Sequence, residues 1–401
     1  MHGETELLST LAVSLVFAFV GGLLAVRLKL PPLVGYLVAG IVVGPFTPGF
    51  VADAKLAPQL AEIGVILLMF GVGMHFSVRD LLAVRAVAVP GAVAQIAAAT
   101  ALGAGLARLW GWPLSHGLVF GLSLSVASTV VLLRALEGLG RLTTPDGQIA
   151  VGWLVVEDLA MVLALVLLPA FAGAAAHSGA SGPLGLALAV TVGKLVLFVA
   201  FMLVAGVRLF PWLLRRVEKT GSRELFTLAA IALALGVAFG AARLFDVSFA
   251  LGAFFAGVVI NESELSRRAA SDTQPLQDAF AALFFVAVGM LFDPSVVVRQ
   301  PVRVLAVVAI IVVGKSLAAL AIVLALRRPL STALTVSAAL AQIGEFSFIL
   351  AALGVELGLL PAEGQSLILV GALLSITLNP LAFGAADRFA ARRPAPARVT
   401  S

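Results

Sequence analysis

Cysteine is absent from this chain of 401 residues, and charged side chains are scarce at 12%. Without cysteine, the chain has no disulfides, iron–sulfur clusters or thiolate metal sites. Soluble domains are about 25% charged and roughly 45–50% apolar, whereas hydrophobic residues reach 61% here and the mean hydropathy is +1.12. The composition therefore predicts an all-α polytopic membrane protein that lies in contact with lipid.

Histidine is also rare in this chain. The four histidines, widely separated in sequence, are His2, His75, His116 and His177. They form no HExxH or similarly spaced pair of ligands, and no nucleophile–base motif is present. We therefore predict neither a cofactor nor an enzymatic activity. The net charge of +5 is typical of positive cytoplasmic loops and not of nucleic-acid binding.

Apolar stretches separated by charged or Pro/Gly-rich breaks indicate thirteen transmembrane helices. Their predicted ranges are 7–26, 33–50, 56–76, 86–110, 114–136, 149–170, 184–210, 225–242, 248–260, 277–292, 302–326, 332–353 and 366–383. The connecting loops are short, so residues 1–383 are expected to form one transmembrane domain. Residues 384–401 are expected to form a short basic cytoplasmic tail.

The distribution of basic residues predicts the orientation. With the N-terminus outside and the C-terminus inside, most of the 26 basic residues lie on the inner side, as the positive-inside rule requires. The predicted outer side carries only Lys55, Arg108, Arg243, Arg299 and Arg303. The chain is therefore expected to cross an inner (plasma) membrane an odd number of times.

Two of the apolar stretches are interrupted by small or polar residues, at matching places in the two halves of the chain. The fifth contains GLSLSVAST at residues 121–129, and the twelfth contains AQIGEFS at residues 341–347. Transporters are often built from inverted repeats whose matching helices are broken near the membrane midplane. We therefore predict that helices 1–6 and 8–13 are inverted repeats, that helix 7 links them, and that helices 5 and 12 are broken and cross.

Glu157 and Asp158 are adjacent carboxylates inside the sixth apolar stretch. About 20 residues span a bilayer as a helix, so both lie at hydrocarbon depth. An acid there costs at least ~2.5 kcal/mol and normally faces a cavity or a partner. Neighbouring helical residues point about 100° apart. Glu157 is therefore expected to face a buried base and Asp158 a cation, although a purely structural acid pair is the alternative.

Two further charges and two hydroxyls complete the predicted site. Lys315 is the expected partner of Glu157, because a lone buried ammonium needs a carboxylate; a counter-charge to a helix end is its alternative role. Glu345 is expected to neutralise helix dipoles or Lys315. Ser128 and Thr129 are expected to add oxygen ligands beside Asp158, as hard cations require, unless they serve only as small packing residues.

Three segments together resemble the monovalent cation:proton antiporter-2 family, Kef-type branch. They are AEIGVILLMFGVG at residues 61–73, the Glu157-Asp158 pair, and QIGEFSF at residues 342–348. The resemblance implies the sodium/proton-antiporter fold, with a dimerisation domain, a core domain with two crossing broken helices, and elevator-type alternating access. It also implies that Asp158 binds the ion and the proton. Lys315 then corresponds to the lysine that members of the family carry in the eleventh helix.

The residues and the resemblance together predict a secondary antiporter that exchanges K⁺ or Na⁺ for H⁺ in pH homeostasis. Deprotonated Asp158 would bind the cation, and protonation would release it. A homodimer is expected. The chain has no GxGxxG motif, so the nucleotide-binding regulatory domain of Kef-type proteins is expected to be missing or separate. A proton-uncoupled cation channel and an organic-anion symporter are the alternatives.

Overall fold

A computed structural model describes residues 3–47, 56–75, 78–176, 184–245 and 247–391. All regular secondary structure in these ranges is helical. The helices, in chain order, are α1 (Gly3–Arg27), α2 (Pro32–Val43), α3 (Leu56–His75), α4 (Val78–Leu109), α5 (Leu114–Ser125), α6 (Thr129–Gly138), α7 (Pro145–Ala176), α8 (Leu184–Phe201), α9 (Val207–Glu218), α10 (Arg223–Phe245), α11 (Phe249–Asn261), α12 (Ser266–Met290), α13 (Ser295–Arg299), α14 (Pro301–Ala309), α15 (Lys315–Ala325), α16 (Leu330–Ala339), α17 (Glu345–Glu356) and α18 (Ala362–Ala391).

Long apolar helices dominate the described ranges. Eight spans there are long and apolar enough to cross a membrane, and four further apolar helices are 10–17 residues long. The prediction of an all-helical polytopic membrane protein is therefore confirmed. Two π-helical turns, Met202–Gly206 and Ile310–Gly314, join α8 to α9 and α14 to α15. Each of these pairs therefore forms one continuous helix.

The chain divides into two compact units. The first unit consists of Met1–Val78 and Val162–Pro294, and the second of Arg79–Met161 and Ser295–Ser401. The boundary between Met161 and Val162 falls inside α7. Glu157 and Asp158 therefore belong to the second unit, as do all the other residues of the predicted site.

In the first unit, α3 packs against α11 and α12, and α12 also packs against α2. Glycines allow these helices to approach closely. A Cβ added at Gly73 would collide with the backbone of Phe254 on α11, and one added at Gly289 would collide with the backbone of Leu37 on α2. Small residues at such contacts are usual between membrane helices, whose association depends on close van der Waals packing.

The second unit contains the sequence long helix, interrupted helix, long helix twice. The first set is α4, α5 with α6, and the part of α7 that ends at Met161; the second is α14 continuing into α15, α16 with α17, and α18. A buried apolar cluster that includes Trp153, Leu132 and Val336 joins helices of both sets. Trp153 is fully buried and lies against Gly91, where an added Cβ would overlap its ring.

Several predicted helix ends are wrong. α2 ends at Val43, well before residue 50, and residues 48–55 lie outside the described ranges. α12 begins at Ser266 and not at residue 277. Its first turns are polar and are stabilised by charge pairs, such as that of Arg268 with Asp272 (3.7 Å). Hydropathy does not detect such pairs.

The predicted tail of residues 384–401 is helical at its start, because α18 continues to Ala391. Asp387 on this extension pairs with Arg141 near the end of α6, at 2.8 Å. Residues 392–401 lie outside the described ranges.

Candidate functional site

The second unit contains two interrupted helices. Residues 126–128, the first break, separate α5 from α6, and residues 340–344, the second break, separate α16 from α17. The backbone is extended at Val126 (φ −100°, ψ 131°), which ends the hydrogen-bonding pattern of α5. Each break leaves backbone N–H and C=O groups without helical partners, and these groups must be satisfied where water is excluded.

Gln342, in the second break, connects the two breaks. Its Oε1 accepts a hydrogen bond from the backbone nitrogen of Ser128 (2.8 Å), and its Nε2 donates to the carbonyl oxygens of Ser128 and Ala339 (both 3.2 Å). Gly344 permits this approach, because a Cβ there would collide with Cα and Cβ of Ser128. The buried Gln342 amide thus bonds to both the backbone N–H and the backbone C=O of Ser128 in the first break.

Two flanking helices supply further partners to the first break. Gln95 on α4 donates through Nε2 to the carbonyl oxygen of Ser125 (3.0 Å). Glu157 on α7 accepts a hydrogen bond from the backbone nitrogen of Ala127 through Oε2 (2.9 Å). The helix on each side of the interrupted helix therefore satisfies one of its free backbone groups.

The second break is supported in the same way. Lys315 on α15 donates through Nζ to the carbonyl oxygen of Gln342 (2.9 Å), and Asn379 on α18 donates through Nδ2 to that of Ala338 (2.9 Å). Lys315 directly follows the π-helical turn Ile310–Gly314. Such turns are frequent at functional sites.

Three buried carboxylates surround these breaks, and each has one oxygen that is held and one that is not. The exposed fractions of Glu157, Asp158 and Glu345 are 0%, 4% and 1%. The Thr129 hydroxyl donates to Asp158 Oδ2 (2.9 Å), and the Ser128 hydroxyl donates to Glu345 Oε2 (3.0 Å). Glu157 Oε1, Asp158 Oδ1 and Glu345 Oε1 are buried without a hydrogen-bond partner.

Charges at this site are unequal in number. Lys315, fully buried, interacts electrostatically with Glu157. Asp158 interacts electrostatically with Glu345 and, less strongly, with Glu157. Negative charge thus exceeds positive charge if all four groups are ionised. A bound cation or proton would reduce the cost of keeping this excess out of water.

The structure brings all six predicted site residues into one unit, with two differences from the predicted contacts. Thr129 alone contacts Asp158 through its hydroxyl, because Ser128 turns its hydroxyl to Glu345. The ammonium of Lys315 bonds to the Gln342 carbonyl, and its interaction with Glu157 is electrostatic. Glu345 is the first residue of α17, where a negative charge interacts favourably with the helix dipole, which suits the first of its two predicted roles.

Sequence reasoning missed the three amides Gln95, Gln342 and Asn379. All three are buried, with exposed fractions of at most 2%. The available signal was an amide inside an apolar stretch, where each unsatisfied polar group costs several kcal/mol. These amides are costly to bury without a partner for the same reason as the carboxylates.

Among the residues that the structure describes, no group of three or more His, Cys, Asp or Glu side chains could hold a metal ion. The oxygens that the site offers belong to three carboxylates and two hydroxyls. Oxygen ligands of this type suit hard cations.

Residues 15–386 match the family described as "Sodium/hydrogen exchanger, transmembrane". The chain belongs to the sodium/hydrogen exchanger family. The resemblance to the monovalent cation:proton antiporter-2 branch is confirmed as well. The chain is 61% identical over 393 residues to the "Putative cation/proton antiporter YbaL" of Escherichia coli (strain K12), covering 98% of this chain and 70% of that protein. As a cation/proton antiporter of this family, the protein is a multi-pass membrane transporter and not an enzyme.

Other exchanger-family relatives differ in the cargo their names give. "K(+) efflux antiporter 4" of Arabidopsis thaliana is 34% identical over 95% of this chain and 64% of its own length. "Iron transporter MagA" of Paramagnetospirillum magneticum (strain ATCC 700264 / AMB-1) is 31% identical over 94% of this chain and 84% of its own length. The chain thus spans about two thirds of the length of the plant relative.

The fold is similar to that of a solved exchanger. The structure of the sodium proton antiporter MjNhaP1 from Methanocaldococcus jannaschii at pH 8 superposes with a TM-score of 0.69, at 17% identity, over 95% of this chain and 98% of that one. The expectation of a sodium/proton-antiporter-like fold is therefore confirmed.

Proposed function

We propose that the protein exchanges a monovalent cation, K⁺ or Na⁺, for H⁺, with Asp158 as the shared site. One observation carries this proposal. Asp158 is buried inside the long apolar helix α7, one of its oxygens is held by Thr129, and the other is buried without a partner. Such a carboxylate is costly when it is ionised and empty. Either a proton or a cation removes that cost, but one free oxygen does not bind both, so the two ligands compete.

The surroundings of Asp158 favour transport over a fixed structural role. In a structural acid pair, both oxygens of each carboxylate would be satisfied, because a buried oxygen without a partner costs about 1–3 kcal/mol or more. Glu157 is held by Ala127 and interacts with Lys315. We infer that Glu157 and Lys315 set the proton affinity of Asp158, and that Ser128 and Glu345 position the first break.

Support for inverted repeats comes from how the two breaks are satisfied. The helix that precedes each interrupted helix donates to a backbone carbonyl, through Gln95 in the first set and Lys315 in the second. The helix that follows also bonds to the interrupted helix, through Glu157 to Ala127 in the first set and through Asn379 to Ala338 in the second. This correspondence favours the thirteen transmembrane helices predicted from the sequence. In that numbering, the predicted helices 1–6 and 8–13 are the repeats and predicted helix 7 links them.

An elevator-type mechanism requires a unit that carries its substrate as a body. All six predicted site residues, together with Gln95, Gln342 and Asn379, belong to the second unit. We infer that this unit moves with the bound ion. By the family resemblance, the protein works as a homodimer in the inner membrane, with a cytoplasmic nucleotide-binding regulatory domain as a possible partner on the same or another chain.

We expect proton flux in liposomes that contain the purified protein when K⁺ or Na⁺ is added outside. An internal pH dye reports the flux, the membrane potential is clamped, and each ion is tested separately. Cation flux that is independent of the pH gradient would instead indicate a channel. Coupling to an organic anion alone would indicate a symporter, and a response to Fe²⁺ alone would contradict a monovalent cargo.

Single cysteines can test the orientation, since the chain contains none. Ser115, in the exposed first turn of α5, is predicted outside, and Thr220, exposed after α9, is predicted inside. In intact cells, a membrane-impermeant maleimide is expected to label Ser115→Cys and to label Thr220→Cys only after permeabilisation. The reverse pattern would contradict an outside N-terminus.

A further inference from the structure

Glu345 occupies an unusual place for a residue that only neutralises a helix end. It is the first residue of α17 and is 1% exposed. The Ser128 hydroxyl donates to Oε2, and the backbone amides of Thr129 and of Glu345 itself lie close to the carboxylate. These contacts satisfy a charge at the start of a helix. They leave Oε1 buried without a hydrogen-bond partner, which a purely structural role does not explain.

Asp158 shows the same arrangement. Its Oδ2 accepts from the Thr129 hydroxyl and its Oδ1 is buried without a partner. Thr129 approaches both carboxylates, with its hydroxyl at Asp158 and its backbone amide near Glu345. The two carboxylates are therefore neighbours at the start of α6, and they interact electrostatically. Each has one buried oxygen without a hydrogen-bond partner.

We propose that Glu345 is a second carboxylate ligand of the transported cation, contacting it through Oε1 while Ser128 holds Oε2. This inference rests on the proposed exchange at Asp158. Hard cations take several oxygen ligands, and one carboxylate oxygen with one hydroxyl is a sparse set. A cation between Asp158 Oδ1 and Glu345 Oε1 would satisfy two buried oxygens at once and would remove the repulsion between two like charges.

The competing role is a fixed charge at the start of α17, and two substitutions distinguish the roles. Glu345→Gln keeps the shape and an oxygen that accepts from Ser128 but removes the charge. Glu345→Asp keeps the charge but withdraws it by one methylene. Asp is as suitable as Glu in the first turn of a helix, so a fixed charge tolerates this change. A cation ligand does not, because the free oxygen no longer reaches the ion.

The matched control is Glu356→Gln. Glu356 is the last residue of the same helix, and it is exposed. This substitution removes one carboxylate from α17 without touching either break. We expect the control to bind and transport cations as the unmodified protein does.

Binding and flux are measured over a series of K⁺ and Na⁺ concentrations. Binding is measured as the cation-dependent rise in the thermal midpoint of the purified protein, because a ligand stabilises the folded state according to its concentration relative to Kd. We expect Glu345→Gln and Glu345→Asp to raise the half-maximal cation concentration about ten-fold or more, which corresponds to about 1.4 kcal/mol. The ratio of the K⁺ and Na⁺ values is also expected to change.

Two results would overturn the assignment of Glu345. One is a half-maximal concentration in Glu345→Gln equal to that of Glu356→Gln; the other is a wild-type value in Glu345→Asp. Size-exclusion profiles establish whether each variant is folded. If Glu345→Gln is not folded, the cation dependence of Glu345→Asp tests the assignment of Glu345. Absence of cation binding by the unmodified protein would overturn the proposed exchange as well, so the two failures are distinguishable.

Discussion

Replacing Asp158 with Asn is expected to reduce cation-driven proton flux to the level of protein-free liposomes, a loss of at least about 100-fold, or about 3 kcal/mol. Asn retains an oxygen that accepts from Thr129, so the local hydrogen bond survives. It neither carries a charge for the cation nor exchanges a proton. The flux assay described above measures the loss, with the same amount of protein in each preparation.

Stability separates loss of function from loss of fold in this variant. Asp158 has an oxygen without a partner, so neutralising the side chain is expected to leave the thermal midpoint unchanged or to raise it. Glu137→Gln is the matched control, because Glu137 is an exposed acid on α6. It should retain full flux. Retained exchange in Asp158→Asn would exclude Asp158 as the shared site.

Replacing Lys315 with Ala is expected to cause the largest loss of stability, about 3–5 kcal/mol, as is usual when one partner of a buried charge pair is removed. The substitution leaves the Gln342 carbonyl without its donor and Glu157 without its compensating charge. The thermal midpoint, followed by the fluorescence of the four tryptophans, measures the effect. Trp153, buried one turn before Glu157, reports on this region.

A double-mutant cycle isolates the interaction of Lys315 with Glu157. In a Glu157→Gln background, the carboxylate is already neutral, so Lys315→Ala should cost less than it does in the unmodified protein. Interacting residues typically show coupling of about 0.5–3 kcal/mol, whereas independent sites add. Strict additivity of the two substitutions would show that Lys315 serves only the Gln342 carbonyl.

Much of the fold could be predicted from the sequence because hydropathy is a local property. Each of the thirteen apolar stretches coincides with a helix or with a pair of consecutive helices in the described ranges. The errors fall where hydropathy carries no information, as at the polar start of α12, where Arg268 contacts Asp272. The two interrupted helices were also visible, since small and polar residues in an apolar stretch mark a discontinuous helix.

The candidate site was predicted in part. Intramembrane charge is costly enough that Glu157, Asp158, Lys315 and Glu345 stand out in any reading of the chain. Only some of their partners could be predicted, because a partner is determined by distance in space. Ser128 and Thr129 are adjacent in sequence and have the same type of side chain, yet one hydroxyl bonds to Glu345 and the other to Asp158.

The sequence by itself determined that this is an α-helical membrane protein of a recognisable exchanger family, with buried acids at membrane depth, because composition and cost of burial depend on residue type alone. Only the tertiary structure decided which carboxylate oxygens have a hydrogen-bond partner and which have none. It also decided that Gln342 bonds to the backbone of Ser128 in the first break, 214 residues away. The reason is that hydrogen bonds of a broken helix are satisfied by whichever groups the fold brings near, and packing between distant segments sets that choice.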